Sequence, residues 1–210
     1  MQKLDLRNQY KHFYQPSAKK VEVVEVPSFR FAMVDGEIEP SILPGDSPAF
    51  QQALEVLYGI SYTLKFASKL HTENPVDYTV MALEGLWWVE GGVFDITKAD
   101  NWRWTAMILQ PKHISADMFQ DAMAQLHRKK PSLALDKLRL ETFHEGVCIQ
   151  IMHVGPYADE PATLARMEDY ARENGYLLCG KHHEIYLGDP RRADPAKLKT
   201  VLRHPVKREG

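Results

Sequence analysis

The chain has little of what would mark it as covalently stapled, membrane-spanning or nucleic-acid-binding. Only two of its 210 residues are cysteine, Cys148 and Cys179. Both stand in apolar surroundings without metal-ligand spacing, so they read as buried thiols rather than a disulfide framework. No apolar run approaches the ~18 residues of a spanning helix, and the N-terminus lacks the apolar stretch of a secretion signal. The expectation is a soluble, cytoplasmic protein with no membrane role. The net charge of −2 supplies no field that would favour nucleic acid. Chemical motifs are equally scarce. There is no Gly-x-Ser-x-Gly elbow, and Gly91-Gly92 lacks the rest of a phosphate-cradling loop. His182 and His183 point apart on a strand, and no His-Glu-x-x-His occurs. No metal and no organic cofactor are expected.

What is present is ordinary globular material, 44% hydrophobic and 26% charged. Its length suits one large domain or two small fused units. Residues 1–19 form a polar, basic arm that packs through Leu4, Phe13 and Tyr14. Val21–Val34 is β-forming with a bend at Pro27-Ser28, and Asp35-Gly36 predicts a turn. A loop over 38–46 precedes a helix with Ser47 as N-cap and Pro48 at its first position. Phe50, Leu54, Leu57 and Tyr58 mark its buried face, and the period blurs after Gly59. Tyr78–Trp88 and Asn101–Leu109 are strands. Ser115–Arg128 is a linking helix. Leu138–Val154 is a strand pair, or one bent strand, around Glu145-Gly146. Pro161–Asn174 is a helix stopped by Gly175. Tyr176–Leu187 and Lys199–Val206 complete the chain.

Set side by side, residues 20–112 and 135–208 both give strand–helix–strand–strand. The predicted fold is α+β: one domain over 1–210, a tandem strand–helix–strand–strand repeat with pseudo-twofold symmetry. Antiparallel sheets and helices would surround a central ligand cleft at the seam.

Two strands carry a carboxylate where a strand rarely does. Alternation places His182, Glu184 and Tyr186 on one face of the later strand. In the earlier strand it places Glu84, Leu86 and Trp88 together. An acid flanked by aromatic rings suits a cationic or electrophilic flat molecule, through charge, stacking and cation–π attraction. Adjacent Trp87 and Trp88 face opposite sides, and a one-residue slip of register exchanges them. The bland alternatives are a solvated Glu184 and tryptophans that fill a core.

Three runs together resemble the GyrI-like small-molecule-binding family: Leu83-Glu84-Gly85-Leu86-Trp87-Trp88, Gln150–Tyr157, and His182-His183-Glu184-Ile185-Tyr186-Leu187-Gly188-Asp189-Pro190. Tyr14-Gln15-Pro16-Ser17 and Leu57–Tyr62 are similar to its stand-alone members. The resemblance implies a cleft that binds lipophilic, aromatic or cationic small molecules. It also implies hydrolysis of cyclopropanoid DNA-alkylating compounds, which detoxifies them. Glu184 and Tyr157 would be the catalytic residues. Trp88, Tyr186, Glu84, His153 and Trp87 would contact the ligand. The alternatives are a multidrug-binding or sequestering protein without turnover and a gyrase-interacting protein. The resemblance implies no direct contact with nucleic acid, and a homodimer is an open alternative.

Overall fold

The computed structural model describes residues 3–39, 42–92, 94–98 and 101–210. Pro40 and Ser41, inside the loop expected over 38–46, lie outside the described residues. The strands are β1 (Lys3–Leu4), β2 (Glu22–Val26), β3 (Phe29–Glu37), β4 (Asp77–Tyr78), β5 (Leu83–Val89), β6 (Trp102–Leu109), β7 (Arg139–Phe143), β8 (Gly146–Val154), β9 (Tyr176–Leu178), β10 (His182–Tyr186) and β11 (Lys199–Arg208). The helices are α1 (Leu6–Gln9), α2 (Lys11–Tyr14), α3 (Pro48–Lys69), α4 (Ala116–Lys129) and α5 (Glu160–Glu173). The fold is α+β, and each half runs strand, helix and three strands, β3-α3-β4-β5-β6 and β8-α5-β9-β10-β11, where two strands after the helix were expected.

One large antiparallel sheet runs β2-β8-β11-β10-β5-β6-β3-β7. Its two ends meet. β2 passes into β3 across Pro27-Ser28, and β7 passes into β8 across His144-Glu145. The two bent strands pair in one register through the corner, with Val26 opposite Gly146 and Phe29 opposite Phe143. The sheet therefore closes into a ring with an inner and an outer face.

The inner face carries Phe31, Met33, Leu86, Met107, Met152, Ile185 and Val201, and buried Phe13 and Tyr14 of the N-terminal arm join this core. α3 and α5 cover the outer face. Phe50 of α3 lies 5.4 Å from the ring of Trp87 and 5.1 Å from that of Trp104. Met167 and Ala171 of α5 pack on Ile149, Ile151 and Leu202. Each fully buried large apolar side chain contributes about 1.5–3 kcal/mol, so both layers are strongly anchored.

Three expectations need correction. Asp35-Gly36 is no turn; it lies within β3, opposite Thr105 and Trp104. A Cβ at Gly36 would come 2.1 Å from the Trp104 ring, so the glycine provides space for an indole. Gly59 does not disturb α3, which continues to Lys69 and lets Leu126 of α4 approach closely at that point. Tyr58, expected in the core, is partly exposed, and Val56, Ile60 and Leu64 are buried instead. Cys148 is buried, Cys179 is half-buried, and both are free.

Candidate functional site

The site is built on β10 and β5. Ile and Tyr favour extended backbone, and Gly188-Asp189-Pro190 follows the strand. In the ladder Glu184 lies opposite Gly85 and His182 opposite Trp87. Directly opposed residues project to the same side. Glu184, Tyr186, His182 and Trp87 therefore share the outer face, in the groove between α3 and α5.

Glu184 is only 7% exposed. His182 Nε2 lies 3.2 Å from its Oε1. Phe94 stacks on His182 at 5.4 Å and 14°. Trp87 Nε1 donates to the Tyr186 hydroxyl at 3.0 Å. That leaves the phenol proton free to point towards Glu184. Burial and then the Glu184 charge hold the Tyr186 hydroxyl well above its usual range. Tyr157 follows Gly155, whose φ of +140° disfavours any side chain at that turn. Its ring meets Tyr186 edge-on at 5.9 Å and 82°. It is 38% exposed and forms the rim. Burial, then Glu160 and Glu184, push its hydroxyl up to about 12. It is a donor at neutral pH.

Glu160, at the start of α5, was not among the expected site residues. It is 1% exposed, and its Oε1 has no hydrogen-bond partner. Burial and then the Glu184 charge raise its carboxyl to about 9. A helix N-terminus favours an anion by only about 0.3–1 kcal/mol. Burying an unpaired carboxylate costs several times more, so the neutral acid prevails. The sequence signal was a glutamate three residues after Tyr157, just ahead of a helix-starting proline. That pattern has an ordinary solvated reading.

The remaining expected residues stand elsewhere. His153 is buried, with Nδ1 2.9 Å from Thr163 Oγ1 and Nε2 3.1 Å from the Pro156 carbonyl. Both nitrogens are engaged in tying the Tyr157 turn to α5, so His153 positions this turn and has no nitrogen left for a ligand. Trp88 is on the inner side, where Lys181 Nζ sits 3.3 Å from its ring centre. The strand register favours Trp87 over Trp88.

Glu84 is also on the inner side, so it is not the spatial counterpart of Glu184. It accepts from the Tyr14 hydroxyl at 2.7 Å, and His183 Nε2 lies 3.0 Å away. His183 Nδ1 faces Glu145 at 2.9 Å. Arg203 donates to Glu145 at 3.1 Å and to the Phe13 carbonyl at 2.7 Å. Burial lowers the affinity of His183 for its second proton, but Glu145 and Glu84 outweigh it and raise the imidazole to about 9. Burial likewise opposes ionisation of Glu145, yet His183 and Arg203 hold it at about 2. Two anions and two cations are thereby matched in the interior.

The rings of Trp87, Tyr157 and Tyr186 crowd the outer groove. Surface cavities of about 280 Å³ beside Leu6, Phe29 and Arg30, and about 660 Å³ between α3 and α4 beside Tyr62 and Phe66, lie away from Glu184. Among the rings near Glu184, Tyr157 is the most exposed.

Comparison with known proteins places this geometry. The profile of the GyrI-like small molecule binding domain matches residues 111–207. A conserved protein from Listeria innocua is 38% identical with a TM-score of 0.88, covering 97% of this chain and 100% of its own. A protein described as a hydrolase from Listeria innocua is 38% identical with a TM-score of 0.85, covering 98% of this chain and 100% of its own. The C-terminal domain of EcmrR shares the fold at 12% identity and a TM-score of 0.56, covering 90% of this chain and 98% of that domain. No curated protein matches the sequence. Among the described residues no helix is long and apolar enough to cross a membrane. With near-complete coverage at 38% identity and the matching domain profile, the chain belongs to the GyrI-like small-molecule-binding family.

Proposed function

We propose that the outer groove binds flat, lipophilic electrophiles and cations, and that it hydrolyses cyclopropane-bearing DNA alkylators. The observation that carries this reading is the Glu184 carboxylate, buried among the rings of Trp87, Phe94, Tyr157 and Tyr186. An anion in an apolar setting attracts developing positive charge far more strongly than it would in water. The aromatic faces add stacking and cation–π attraction. The Listeria innocua relative described as a hydrolase supports turnover.

The chemistry is addition of water to a cyclopropane conjugated to a carbonyl. Glu184 takes a proton from water, and the water oxygen bonds to a ring carbon. The strained carbon–carbon bond breaks, and its electron pair moves into the conjugated carbonyl, whose oxygen takes up a proton. Tyr157 and Tyr186 hold the substrate between them, and the Tyr157 hydroxyl donates a hydrogen bond to it.

The test is incubation with a cyclopropane-bearing alkylator, followed by mass spectrometry for a product heavier by one water. Glu184→Gln is expected to slow turnover by about 10²–10⁴-fold, the range of a lost general base. Equal rates would remove Glu184 from the chemistry. Tight binding with the compound recovered intact would replace hydrolysis by sequestration.

A further inference from the structure

Glu160 is the buried titratable group for which the groove offers no other role. Its side chain is buried beside Glu184 with one oxygen unpartnered. The groups that face it are Glu184 and Tyr186 from β10, Tyr157 from the turn and Thr200 from β11. Among the described residues no lysine or arginine forms an ion pair with it. The Thr200 hydroxyl is the polar side chain set beside it, and that contact lowers its proton affinity less than burial and the Glu184 charge raise it. An acid with no cation, no full set of hydrogen bonds and a second carboxylate next to it is arranged to be neutral.

We propose that Glu160 is the proton donor of the groove, giving its proton to the carbonyl oxygen of the substrate as Glu184 draws one from water. This rests on the hydrolytic reading and completes its proton balance. The carbon–oxygen bond forms and the strained carbon–carbon bond breaks. The electron pair released on the carbonyl is met by the Glu160 proton, and the proton from water remains on Glu184. One proton then passes from Glu184 back to Glu160, and the pair is restored with no external acid. The retained proton, held to about pH 9 by burial and the Glu184 charge, matches that role over the neutral range. Two neighbouring carboxyls with divided duties are a recurrent solution to acid–base chemistry near neutrality.

The test compares wild type, Glu160→Gln and Glu160→Asp. Circular dichroism first confirms that each folds. The probe is a cyclopropane-bearing alkylator, and the ring-opened product serves as a non-reacting ligand. For Glu160→Gln we expect product affinity within about threefold of wild type and turnover lower by about 10²–10⁴-fold. Glu160→Asp recovers part of that loss. Wild-type rate falls on the alkaline side near the carboxyl's own titration, and Glu160→Gln lacks that limb. Carbon-13 titration of the glutamate carboxyls is expected to show one signal that titrates far above the rest and is missing from Glu160→Gln. Turnover and pH profile unchanged in Glu160→Gln would overturn the proposal and leave Glu184-driven hydrolysis standing. A wild type that binds but never opens the ring would overturn both. A carboxyl spectrum with no high-titrating signal would overturn the donor role whatever the rates.

Discussion

Gly85 lies directly opposite Glu184 across the β5–β10 ladder, and its missing side chain is occupied space. A Cβ there would come 2.8 Å from Trp87 Nε1 and 3.2 Å from the Tyr186 hydroxyl. Gly85→Ala therefore pushes apart the pair that frames the carboxylate. The expected cost is about 1–3 kcal/mol of stability, the usual range for overpacking. Affinity for a lipophilic cation such as tetraphenylphosphonium should fall with it. Denaturant unfolding and fluorescence titration measure both. Unchanged affinity would show that the Trp87–Tyr186 hydrogen bond is not part of the binding surface.

The two adjacent tryptophans should behave differently. Trp87→Phe removes the donor to Tyr186 and should weaken cation binding by several-fold, since a hydrogen bond of this kind is worth about 0.5–1.5 kcal/mol net. Trp88→Ala strips the ring beneath Lys181 on the far side of the strand and should leave binding unaltered. Calorimetric titration of both variants decides, and the reverse order would place the ligand on the inner face.

Tyr14→Phe leaves one oxygen of Glu84 buried without its partner. The penalty of such an orphan is about 1–3 kcal/mol. Because Tyr14 belongs to the N-terminal arm, the variant should also be cut faster by protease near Ser17–Lys20. Ligand affinity should not change, since Glu84 and Glu184 face opposite ways. Equal stability of variant and wild type would mean that Tyr14 contributes by ring packing alone.

The interior ion network predicts a bounded pH range of highest stability. His183 binds its proton more tightly folded than unfolded, at about 9 against 6.5. Its contribution is therefore complete below about 6.5 and is lost as pH rises through 9. Glu145 moves the other way, from 4.5 to about 2. Its contribution is present above about 4.5 and is lost as pH falls towards 2. Each amounts to a few kcal/mol, because a tenfold change in proton affinity is worth about 1.4 kcal/mol. Glu160 adds to the alkaline loss, because a carboxyl raised to about 9 destabilises the fold increasingly from 4.5 upwards. Unfolding free energy measured from acid to alkaline pH should peak between about 4.5 and 6.5, and Glu160→Gln should be less sensitive on the alkaline side. A flat profile would contradict the charge assignments.

Much of this architecture can be inferred from alternation and punctuation. Pro27-Ser28 and Glu145-Gly146 announce the two corners, Ser47-Pro48 and Ser115 announce two helix starts, and His182–Tyr186 declares its faces. What escapes inference depends on partners distant in the chain. Whether Trp87 or Trp88 joins Glu184 follows from β5 pairing one residue out of step with the visual match of Glu84 to Glu184. Gly36 looks like a turn because the indole that needs its space is contributed by β6. His153 looks like a ligand contact until Thr163 and Pro156 are seen to occupy it. Glu160 gives no signal of burial, because only the packing of α5 against β11 removes it from water.

The joined corners of the sheet bear on self-association. Off the closed circuit β9 pairs with β11 alone; on it, the outer sides of β2 and β7, each five residues long, have no strand partner among the described residues. Those edges carry Glu22 and Glu25 on one and Arg139 and Glu141 on the other. Short, charged, strongly bent edges are poor templates for a further strand. A second copy placed along β2 or β7 would therefore gain little by extending the sheet.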